Sequence, residues 1–585
     1  MVFTSPQWVP QLPFDPPDSL SISEFMLNEQ YGRQPIAHSR PPFTCGLTGL
    51  EYSAHQVKDR VDQLAKALSK ELGWKPNQGT EWDKVAGIFS VNTVDTITLS
   101  WAIHRLSGVS SPANAVYSSS ELEYQLRSSG SRALFTCLPL LSTALEAASK
   151  CNIPRNKVFL LQVPKQISGS QDPPKDIKTV DQLIQEGTSL PTLEALRWEK
   201  GQGARQTAFL CYSSGTSGLP KGVKISHRNV IGNTLQISTY ESSARERLKQ
   251  TEDRHDGTEV ALGLLPQSHI YSLVVICHAT LYRGDQVINL PKFELQSYLN
   301  AIQRFKINTL YVVPPIIINM AKNKKMCDKY NLHSVRGLFT GAAPLGEETA
   351  EELQKQYPAW EVRQGYGLTE TATVCCMTAS DDIWLGSSGS FLPMVEARIM
   401  SVDGVEITGY DQPGELVIKS PSVVLGYLNS DEADRATFED GWMRTGDVAV
   451  VKKSPKGNEH CFIVDRIKEL IKVKGLQVAP AELEAHLLTH PAVADCAVIS
   501  VPDEAAGELP KAFVVKSASV GLEENDRMVV RNIQKHVEKH KAKHKWLKGG
   551  VVFVPEIPKS PSGKILRRML KEKDKEARRQ KGPKL

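Results

Sequence analysis

A glycine-rich segment constrains the fold of this 585-residue chain more than any other feature. It follows an apolar run, Thr207–Cys211, whose length and composition predict a buried strand. Residues 212–224 then read Tyr-Ser-Ser-Gly-Thr-Ser-Gly-Leu-Pro-Lys-Gly-Val-Lys. Glycine lets backbone N–H groups approach a ligand closely, and N–H groups, hydroxyls and an ammonium that converge make a polyphosphate site. A buried strand that enters such a loop indicates an α/β nucleotide-binding fold.

This loop differs from a Walker A loop, which needs glycine, four residues and then Gly-Lys-Ser/Thr. Here Gly222 follows Lys221, and no Gly-Lys-Ser/Thr occurs in the chain. The simplest alternative is a flexible Ser/Gly turn between two strands. The detailed order Ser-Gly-Thr-Ser-Gly-Leu-Pro-Lys-Gly argues against a linker, and the other motifs decide between the two interpretations.

Length, charge and cysteine usage exclude several protein classes. The length exceeds what one hydrophobic core usually supports, so we expect at least two domains. A net charge of +5 is small for this size, and no zinc-finger or basic-zipper pattern occurs, so no nucleic-acid partner is expected. The ten cysteines include no C-x-x-C pair, which argues against a metal site or a disulfide framework. No secretory signal begins the chain, and the longest apolar run, Leu310–Ala321, is too short for a transmembrane segment.

Strand and helix patterns alternate along the chain as far as Pro413, which predicts an α/β domain with largely parallel sheets. The short apolar runs that predict its first strands are Val85–Val91, Ala115–Tyr117, Ala133–Phe135 and Lys157–Gln162. The charged stretch Glu241–Glu259 is typical of a solvated surface insertion. Beyond Pro413, short strands bounded by glycine and proline predict a smaller β-rich subdomain. A compact α+β segment follows residue 465, so we place the domain boundary at residues 465–468.

Further motifs accompany the loop in the order in which adenylate-forming enzymes carry them. They are Leu265–Leu273, Thr340–Gly346, Gln364–Glu370, Gly441–Asp447, Asp465–Pro480 and Pro558–Arg567. The chain therefore resembles the adenylate-forming superfamily over residues 45–575, and most of all its 4-coumarate–CoA ligase, luciferase and acyl-CoA synthetase branch. The resemblance implies a large domain over residues 1–464 with the ATP and acyl pocket. It also implies a hinge at 465–468 and a small mobile domain over 469–585.

The resemblance assigns a nucleotide site to several of these motifs. Tyr366 lies between glycines and stacks on adenine, since aromatic faces stack on purines. The Asp447 carboxylate accepts both ribose hydroxyls. Glu370 and Thr216 hold Mg²⁺, which prefers oxygen ligands. The residues implied for ATP or AMP binding are Ser213, Ser214, Gly215, Thr216, Ser217, Gly218, Lys221, Gln364, Gly365, Tyr366, Gly367, Thr369, Asp447 and Arg466.

Other residues receive catalytic and acyl-binding roles from the same resemblance. The catalytic residues it implies are Lys564, His269, Lys472 and Gln477. The acyl pocket it implies consists of Tyr271, Gly341, Ala342, Ala343 and Val374. Lys474 and Gly475 approach the pantetheine of CoA, and Lys468 is the hinge residue. The structural alternatives are that His269 and Tyr271 are core aromatic residues and that Lys564 is a solvated lysine.

The expected activity is that of an ATP-dependent carboxylate–CoA ligase, an acid–thiol ligase that works through an acyl-adenylate. ATP, Mg²⁺ and CoA are the implied cofactors and co-substrates, and a small carboxylic acid is the substrate. A stand-alone adenylating enzyme that loads a separate carrier protein, a luciferase-like oxygenase and a non-catalytic nucleotide sensor are the alternatives. Aryl-propenoate, medium-chain and longer fatty acids all remain open as the acid.

The carboxyl terminus, Pro583-Lys584-Leu585, resembles the Ser-Lys-Leu peroxisomal address. It implies a peroxisomal import receptor as a partner, although proline replaces the small first residue. Peroxisome and cytoplasm are therefore both expected locations.

Overall fold

The structure is a computed structural model that describes residues 1–169, 172–213, 220–251, 257–401, 403–517, 525–560 and 563–580. The predicted nucleotide contacts Ser214, Gly215, Thr216, Ser217 and Gly218 lie outside the described residues. So does the carboxyl-terminal tripeptide, residues 583–585. Four β-sheets organise the part of the chain that is described.

The amino-terminal sheet has six strands, of which the first five in space run parallel and the last antiparallel. In spatial order they are Val158–Leu161, Ala133–Cys137, Val85–Phe89, Val109–Ala113, Thr207–Ser213 and Lys221–Ser226. The strand predicted at Thr207–Cys211 is present and continues to Ser213. The chain returns from residues 214–219 as a strand that pairs Lys221 with Ser213, so these two residues face one another across the loop.

The central sheet has eight strands and is parallel through its first six. In spatial order they are Phe43–Cys45, Gln286–Asn289, Val260–Gly263, Thr309–Val312, Gly337–Thr340, Glu361–Leu368, Thr373–Met377 and Ser390–Phe391. The last two strands are antiparallel to their neighbours. The motif beginning at Thr340 and the motif beginning at Gln364 therefore emerge side by side, since Thr340 pairs with Gln364.

The third sheet is antiparallel throughout and is the predicted β-rich subdomain, although two of its strands lie before Pro413, where the subdomain was predicted to begin. Its strands are Glu406–Ile407, Glu396–Met400, Gly414–Lys419, Trp442–Lys453, Phe438–Glu439 and Glu459–Arg466. Asp447 lies on the long strand Trp442–Lys453 and pairs with Arg466 on the next strand.

The carboxyl-terminal sheet belongs to a small α+β unit with its own hydrophobic core. Its strands are Leu476–Val478, Ile471–Val473, Gly507–Lys516, Val493–Asp503 and Val551–Phe553. The third sheet ends at Arg466 and this one begins at Ile471, so a short turn joins them. The predicted fold class is confirmed: an α/β domain with a β-rich subdomain, followed by a small α+β domain. The hinge at residues 465–468 remains a prediction about movement.

Helices cover the faces of these sheets. The α-helices of the described residues are Ile22–Leu27, Ala54–Leu72, Thr96–Arg105, Ser119–Ser129, Leu141–Lys150, Lys165–Ser168, Val180–Gly187, Gln202–Arg205, His227–Tyr240, Ser242–Thr251, Thr280–Tyr282, Leu295–Phe305, Pro314–Lys322, Lys324–Cys327, Glu347–Gln356, Asp431–Thr437, Pro480–Leu488, Asp526–His540 and Arg567–Gln580. Tyr271–Ala279 is a π-helix. Within the described ranges, no helix has both the length and the apolar character needed to cross a lipid bilayer.

The helix Ala54–Leu72 shows how local sequence sets these elements. Its first turn is capped by Ser53, whose hydroxyl accepts from the Gln56 amide at 3.2 Å while the Gln56 side chain accepts from the Ser53 amide at 2.8 Å. It ends at Gly73, where φ is +73° and glycine avoids the strain of a left-handed residue. The apolar residues predicted for its buried face are buried, namely Val57, Val61, Leu64 and Leu68.

The strand predicted at Ala115–Tyr117 is wrong. The strand is Val109–Ala113, and the Tyr117 amide closes a turn on the Asn114 carbonyl at 3.0 Å. Two serines and a proline occupy the middle of the true strand, so it does not appear as an apolar run. Their burial reflects the neighbouring strands on both sides rather than their own hydrophobicity.

The prediction of a solvated insertion over Glu241–Glu259 is wrong at both ends, because Glu241 and Glu259 are both buried. Glu241 is buried, and its carboxylate accepts from Arg283 at 2.8 Å. Arg245 pairs with buried Asp285 at 2.9 Å. Burial raises the pKa of Glu241, but the neighbouring arginines outweigh it and hold that pKa at about 2. Buried charges in proteins are paired. The partners of these charges come from segments that are distant in sequence, so a local charge pattern does not reveal the burial.

Candidate active site

A cavity of about 840 Å³ opens where the first three sheets meet the small domain. Strand ends of the central sheet form one wall, through Gly341 after one strand and Gly365 within the next. Asp447 of the third sheet and Lys564 of the small domain also line the cavity. Ligands of open α/β sheets bind at the carboxyl ends of parallel strands, so this position favours a binding site.

The Asp447 carboxylate is buried and has partners on both oxygens. Its Oδ2 accepts from the Tyr366 hydroxyl at 2.6 Å, and its Oδ1 lies 3.6 Å from Nε of Arg466. Burial raises the pKa of Asp447, while the charge of Arg466 opposes that rise. A carboxylate has about four lone-pair directions, so these two contacts leave capacity for hydroxyl donors in the cavity.

The Glu370 carboxylate lies near the two strand ends that flank the glycine-rich loop. Its Oε1 accepts from the Tyr427 hydroxyl at 2.9 Å and from the Ser213 hydroxyl at 3.3 Å. The Lys221 ammonium lies 5.2 Å from the centre of the Tyr427 ring, a cation–π contact. A hard anionic oxygen and a cation therefore stand together where the loop enters and leaves the cavity.

Gly365 and Gly367 flank Tyr366, and the structure explains why neither position accepts a larger residue. A Cβ atom on Gly367 would lie 1.4 Å from the carbonyl oxygen of Thr373. A Cβ atom on Gly365 would lie 2.4 Å from Cζ of Phe339. The two glycines thus let the neighbouring strand and Phe339 pack tightly around Tyr366. The register between this strand and the strand Thr373–Met377 shifts between Tyr366 and Gly367.

Tyr271, Phe339, Gly341 and Val374 form an apolar end of the cavity. Tyr271 is the first residue of the π-helix, and its hydroxyl donates to the Phe339 carbonyl at 2.7 Å. The two rings lie 6.1 Å apart in an edge-to-face arrangement. A Cβ on Gly341 would lie 3.6 Å from the Tyr271 ring, so the glycine keeps this end open. The geometry is that of a compact apolar compartment backed by a fixed aromatic ring.

His269 lines the cavity next to this apolar compartment. Burial lowers its pKa to about 4, and the nearby charge of Lys564 lowers it in the same direction. Nδ1 accepts from the Tyr271 amide at 3.3 Å, which assigns the proton of the neutral ring to Nε2. His269 is therefore a neutral hydrogen-bond donor at neutral pH.

Lys564 reaches the cavity from a tight loop of the small domain. The Ser560 amide donates to the Lys564 carbonyl at 2.8 Å, and the Lys564 amide donates to the Ser560 hydroxyl at 3.1 Å. Gly563, with φ of +81°, packs against Pro315 of the large domain. Burial and the nearby charge of Arg466 lower the pKa of Lys564 to about 8. The carboxylates of Glu469, Asp447 and Glu370 act in the opposite direction but are outweighed. Lys564 is thus mostly a cation at neutral pH.

The cavity brings together most of the described residues that the sequence singles out. Those in its lining are Ser213, Lys221, His269, Tyr271, Gly341, Ala342, Gly365, Tyr366, Gly367, Thr369, Glu370, Val374, Asp447, Arg466, Lys468 and Lys564. Those outside its lining are Gln364, Ala343, Lys472, Lys474, Gly475 and Gln477.

Gln364 is occupied by backbone groups. Its Oε1 accepts from the Leu345 amide at 2.9 Å, and its Nε2 donates to the Ser387 carbonyl at 3.3 Å. The side-chain amide of Gln364 therefore holds the segment that follows Thr340 in place. Its assignment to the nucleotide stays a prediction.

The four residues assigned to adenylation and CoA in the small domain occupy one hairpin. Lys472 pairs with Gln477 across its two strands, and both are exposed. Lys474 and Gly475 form its turn, with φ of +52° and +81°. The hairpin lies outside the cavity lining while Lys564 is inside it.

Sequence reasoning missed Tyr427, Arg444 and Glu415 as cavity residues. Arg444 pairs with Glu415 at 2.5 Å, and the other oxygen of Glu415 accepts from the Gly446 amide at 3.2 Å. This pair holds the backbone just before Asp447. Arg444 lies inside the motif Gly441–Asp447, so the sequence could have indicated its place in the cavity. Tyr427 lies in no motif, so the sequence does not indicate its place.

Comparisons with known proteins agree with this geometry. The AMP-binding enzyme family matches residues 37–428, and the AMP-binding enzyme C-terminal domain matches residues 482–564. The chain is 42% identical over 574 residues to the acyl-CoA ligase easD of Emericella nidulans, covering 98% of this chain and 100% of the relative. It is 40% identical over 590 residues to the acyl-CoA ligase cm3C of Cordyceps militaris, covering 98% and 90%.

A solved structure of similar fold is the anthranilate CoA ligase AuaEII in complex with anthranoyl-AMP. Its TM-score is 0.80 over 96% of this chain and 98% of that chain, at 22% identity. At this identity the likeness shows the fold alone.

Proposed function

This chain belongs to the AMP-binding enzyme family of adenylate-forming enzymes, and we propose that it is an ATP-dependent acid–CoA ligase for a compact apolar carboxylic acid. The ligase activity is supported by the near-complete coverage of two acyl-CoA ligases at 40–42% identity. The observation that carries the proposal is the shared cavity, whose lining includes Lys564, Asp447 and Glu370 together with Tyr271 of the apolar compartment.

The first half-reaction makes the acid a better acyl donor. A carboxylate oxygen of the acid attacks the α-phosphorus of ATP, and the bond from that phosphorus to the bridging oxygen breaks. Pyrophosphate leaves, and the acid is held as an acyl-adenylate whose leaving group is AMP. Negative charge grows on the phosphoryl oxygens, and the Lys564 cation stabilises it. Tyr366 and Asp447 hold the base and ribose, so the α-phosphate is positioned between Lys564 and the apolar compartment.

Magnesium fits the donor set at the loop. Glu370 offers a carboxylate oxygen of the kind that Mg²⁺ prefers, beside the hydroxyl of Ser213. Thr216, the second predicted ligand, lies outside the described residues. When bound, Mg²⁺ supplies charge neutralisation for the phosphates, and Lys221 adds a cation on the same side of the cavity.

The apolar compartment supports a compact monocarboxylic acid as substrate. The residues around Tyr271 that line it, namely Ile270, Phe339, Gly341, Gly365 and Val374, carry no charge to receive a second carboxylate. The Tyr271 hydroxyl is already bonded to a backbone carbonyl, so its ring stays in place as the end wall. Aromatic and short branched acids fit this compartment better than long fatty chains.

The second half-reaction transfers the acyl group to CoA. The thiol sulfur attacks the acyl carbon, the bond to the phosphate oxygen breaks, and AMP leaves. Lys468 is exposed at the centre of the turn between the third sheet and the small domain. We infer that rotation about this turn withdraws Lys564 and brings the hairpin of Lys474 and Gly475 toward the cavity. Transfer to a carrier-protein thiol stays the alternative, and peroxisomal or cytoplasmic location stays a prediction.

Acid-dependent ATP–pyrophosphate exchange tests the proposal, with benzoates, cinnamates and short to long fatty acids as the panel. We expect exchange with compact apolar acids and little with long chains. Lys564→Ala should lower exchange by about 100- to 1,000-fold, because it removes a preorganised cation, and should spare thioester formation from supplied acyl-adenylate. Lys571→Ala, on the exposed face of the last helix, is the matched control. Equal loss of both half-reactions in Lys564→Ala would refute the role given to this residue.

A further inference from the structure

Three histidines of the small domain converge away from the nucleotide cavity. His486 lies on the helix Pro480–Leu488, and His536 and His540 lie on Asp526–His540. One ring nitrogen from each lies within 4.8 Å of the others. The rings of His486 and His536 stack with centres 4.3 Å apart, and the His540 ring is 5.2 Å from that of His486.

The spacing of these residues explains why they meet. His536 and His540 are four residues apart, so they lie one turn apart on the same face of their helix. Buried Val537 and Leu487 anchor the two helices in the core of the small domain. His486 is itself buried at 7% exposure and faces the histidine pair across the contact between the helices. The packing therefore brings the three rings together without any ligand.

The ionisation of the rings suits metal binding. Burial, and to a smaller extent the neighbouring His486, lower the pKa of His536 to about 4. Burial also lowers the pKa of His486. Neutral imidazole is the form that binds metals, so a cation does not have to displace protons from these two rings at neutral pH.

Charges of both signs surround the cluster. Lys541 and Lys545 lie nearby, but both pair with Glu482, at 3.1 and 2.6 Å. Glu348, from the large-domain helix Glu347–Gln356, favours positive charge on His486. Glu482 offsets one of the two lysine charges. The charge of Lys541 still lowers the pKa of His486, and Glu348 from the opposite domain acts against that effect.

We propose that His486, His536 and His540 form a binding site for a borderline transition-metal cation of the Zn²⁺ class. Zinc–nitrogen bonds of about 2.0–2.1 Å in a tetrahedron place ligand nitrogens roughly 3.4 Å apart, so the His486 and His536 rings must turn out of their stacked arrangement to bind one cation. The fourth position falls to water or to His490, whose ring is 5.2 Å from that of His536. Imidazole ligands select Zn²⁺, Ni²⁺ or Cu²⁺ over Mg²⁺, so this site is chemically distinct from the phosphate site.

Metal binding here would join the two helices at a contact between domains. Ala485, next to His486, packs against Gly346 of the large domain. A cation that binds the folded protein and not the unfolded chain raises the melting temperature, by an amount that grows with the logarithm of its free concentration above Kd. We therefore expect Zn²⁺ to stabilise the small domain whether or not the enzyme is turning over.

The test uses the full chain, stripped with a chelator and dialysed against Zn²⁺ in excess Mg²⁺. We expect a single bound Zn²⁺ per chain, a rise in melting temperature, and visible d–d absorption when Co²⁺ replaces Zn²⁺. His540→Ala and His536→Ala should each weaken binding by at least about tenfold, since even supporting residues of metal sites contribute that much.

His544→Ala is the matched control, because it continues the same four-residue spacing outside the cluster. It should bind Zn²⁺ like the unaltered protein. His540 is exposed, so His540→Ala is expected to fold, and circular dichroism checks this. Absence of stoichiometric Zn²⁺, or unchanged affinity in both His540→Ala and His536→Ala, would overturn the proposal.

Discussion

The loss of adenylation activity at high pH, the alkaline limb of its pH profile, tests the role of Lys564. The residue is active as a cation, and burial beside Arg466 lowers its pKa to about 8. Activity is therefore present below that pKa and is lost as the pH rises through it. At pH 9 roughly a tenth of the lysine stays protonated, so kcat/KM for ATP should fall about tenfold. A lysine at its ordinary pKa of about 10.4 would lose only a few per cent at that pH.

The assay is ATP–pyrophosphate exchange from pH 6.5 to 10, with kcat/KM and kcat analysed separately. The profile of kcat/KM reports the free enzyme, so its limb should lie near pH 8. The phosphates of bound ATP favour the cation, so the limb in kcat should lie at higher pH. Lys564→Arg should lack the limb at any absolute rate, because a guanidinium stays charged throughout. A flat wild-type profile through pH 9.5, or the same limb in Lys564→Arg, would refute the reasoning.

Three substitutions test the rest of the account. Tyr366→Phe removes a donor from buried Asp447, which costs about 1–3 kcal/mol and should raise KM for ATP by about 5- to 160-fold in the exchange assay. Glu241→Ala leaves buried arginines without their carboxylate and should lower the free energy of unfolding in urea by about 3–5 kcal/mol, whereas exposed Glu246→Ala should change it by less than about 0.5 kcal/mol. Lys468→Pro should impair one half-reaction and spare the other, and unchanged overall turnover would contradict its role as the hinge.

Much of the cavity could be predicted because short motifs carry their own chemistry. Tyr366 between two glycines, Asp447 after Thr-Gly and Lys564 after Ser-Gly each combine a reactive group with backbone freedom. The structure brings all three to one cavity although they come from the central sheet, the third sheet and the small domain. Local sequence was informative here because each motif ends or turns at the site.

Partners that come from distant segments could not be predicted. Tyr427 reaches Glu370 only because its backbone runs beside Val223, and nothing around residue 427 indicates this. Gln364 lies within a motif, yet its amide is held by two backbone groups. The charged sequence around Glu241 predicts that it is exposed, but arginines more than 40 residues away in sequence pack against its carboxylate and neutralise it. Tertiary contacts decide each of these outcomes, and a local pattern does not contain them.

The most direct test of the central claim follows all products of one reaction. A compact apolar acid, ATP, Mg²⁺ and CoA are incubated with the protein, and the nucleotides and thioester are quantified by liquid chromatography and mass spectrometry. The account predicts AMP and acyl-CoA in equal amounts, with only acyl-AMP accumulating on the enzyme when CoA is left out. ADP as the nucleotide product, or tight ATP binding without AMP for every acid in the panel, would contradict it.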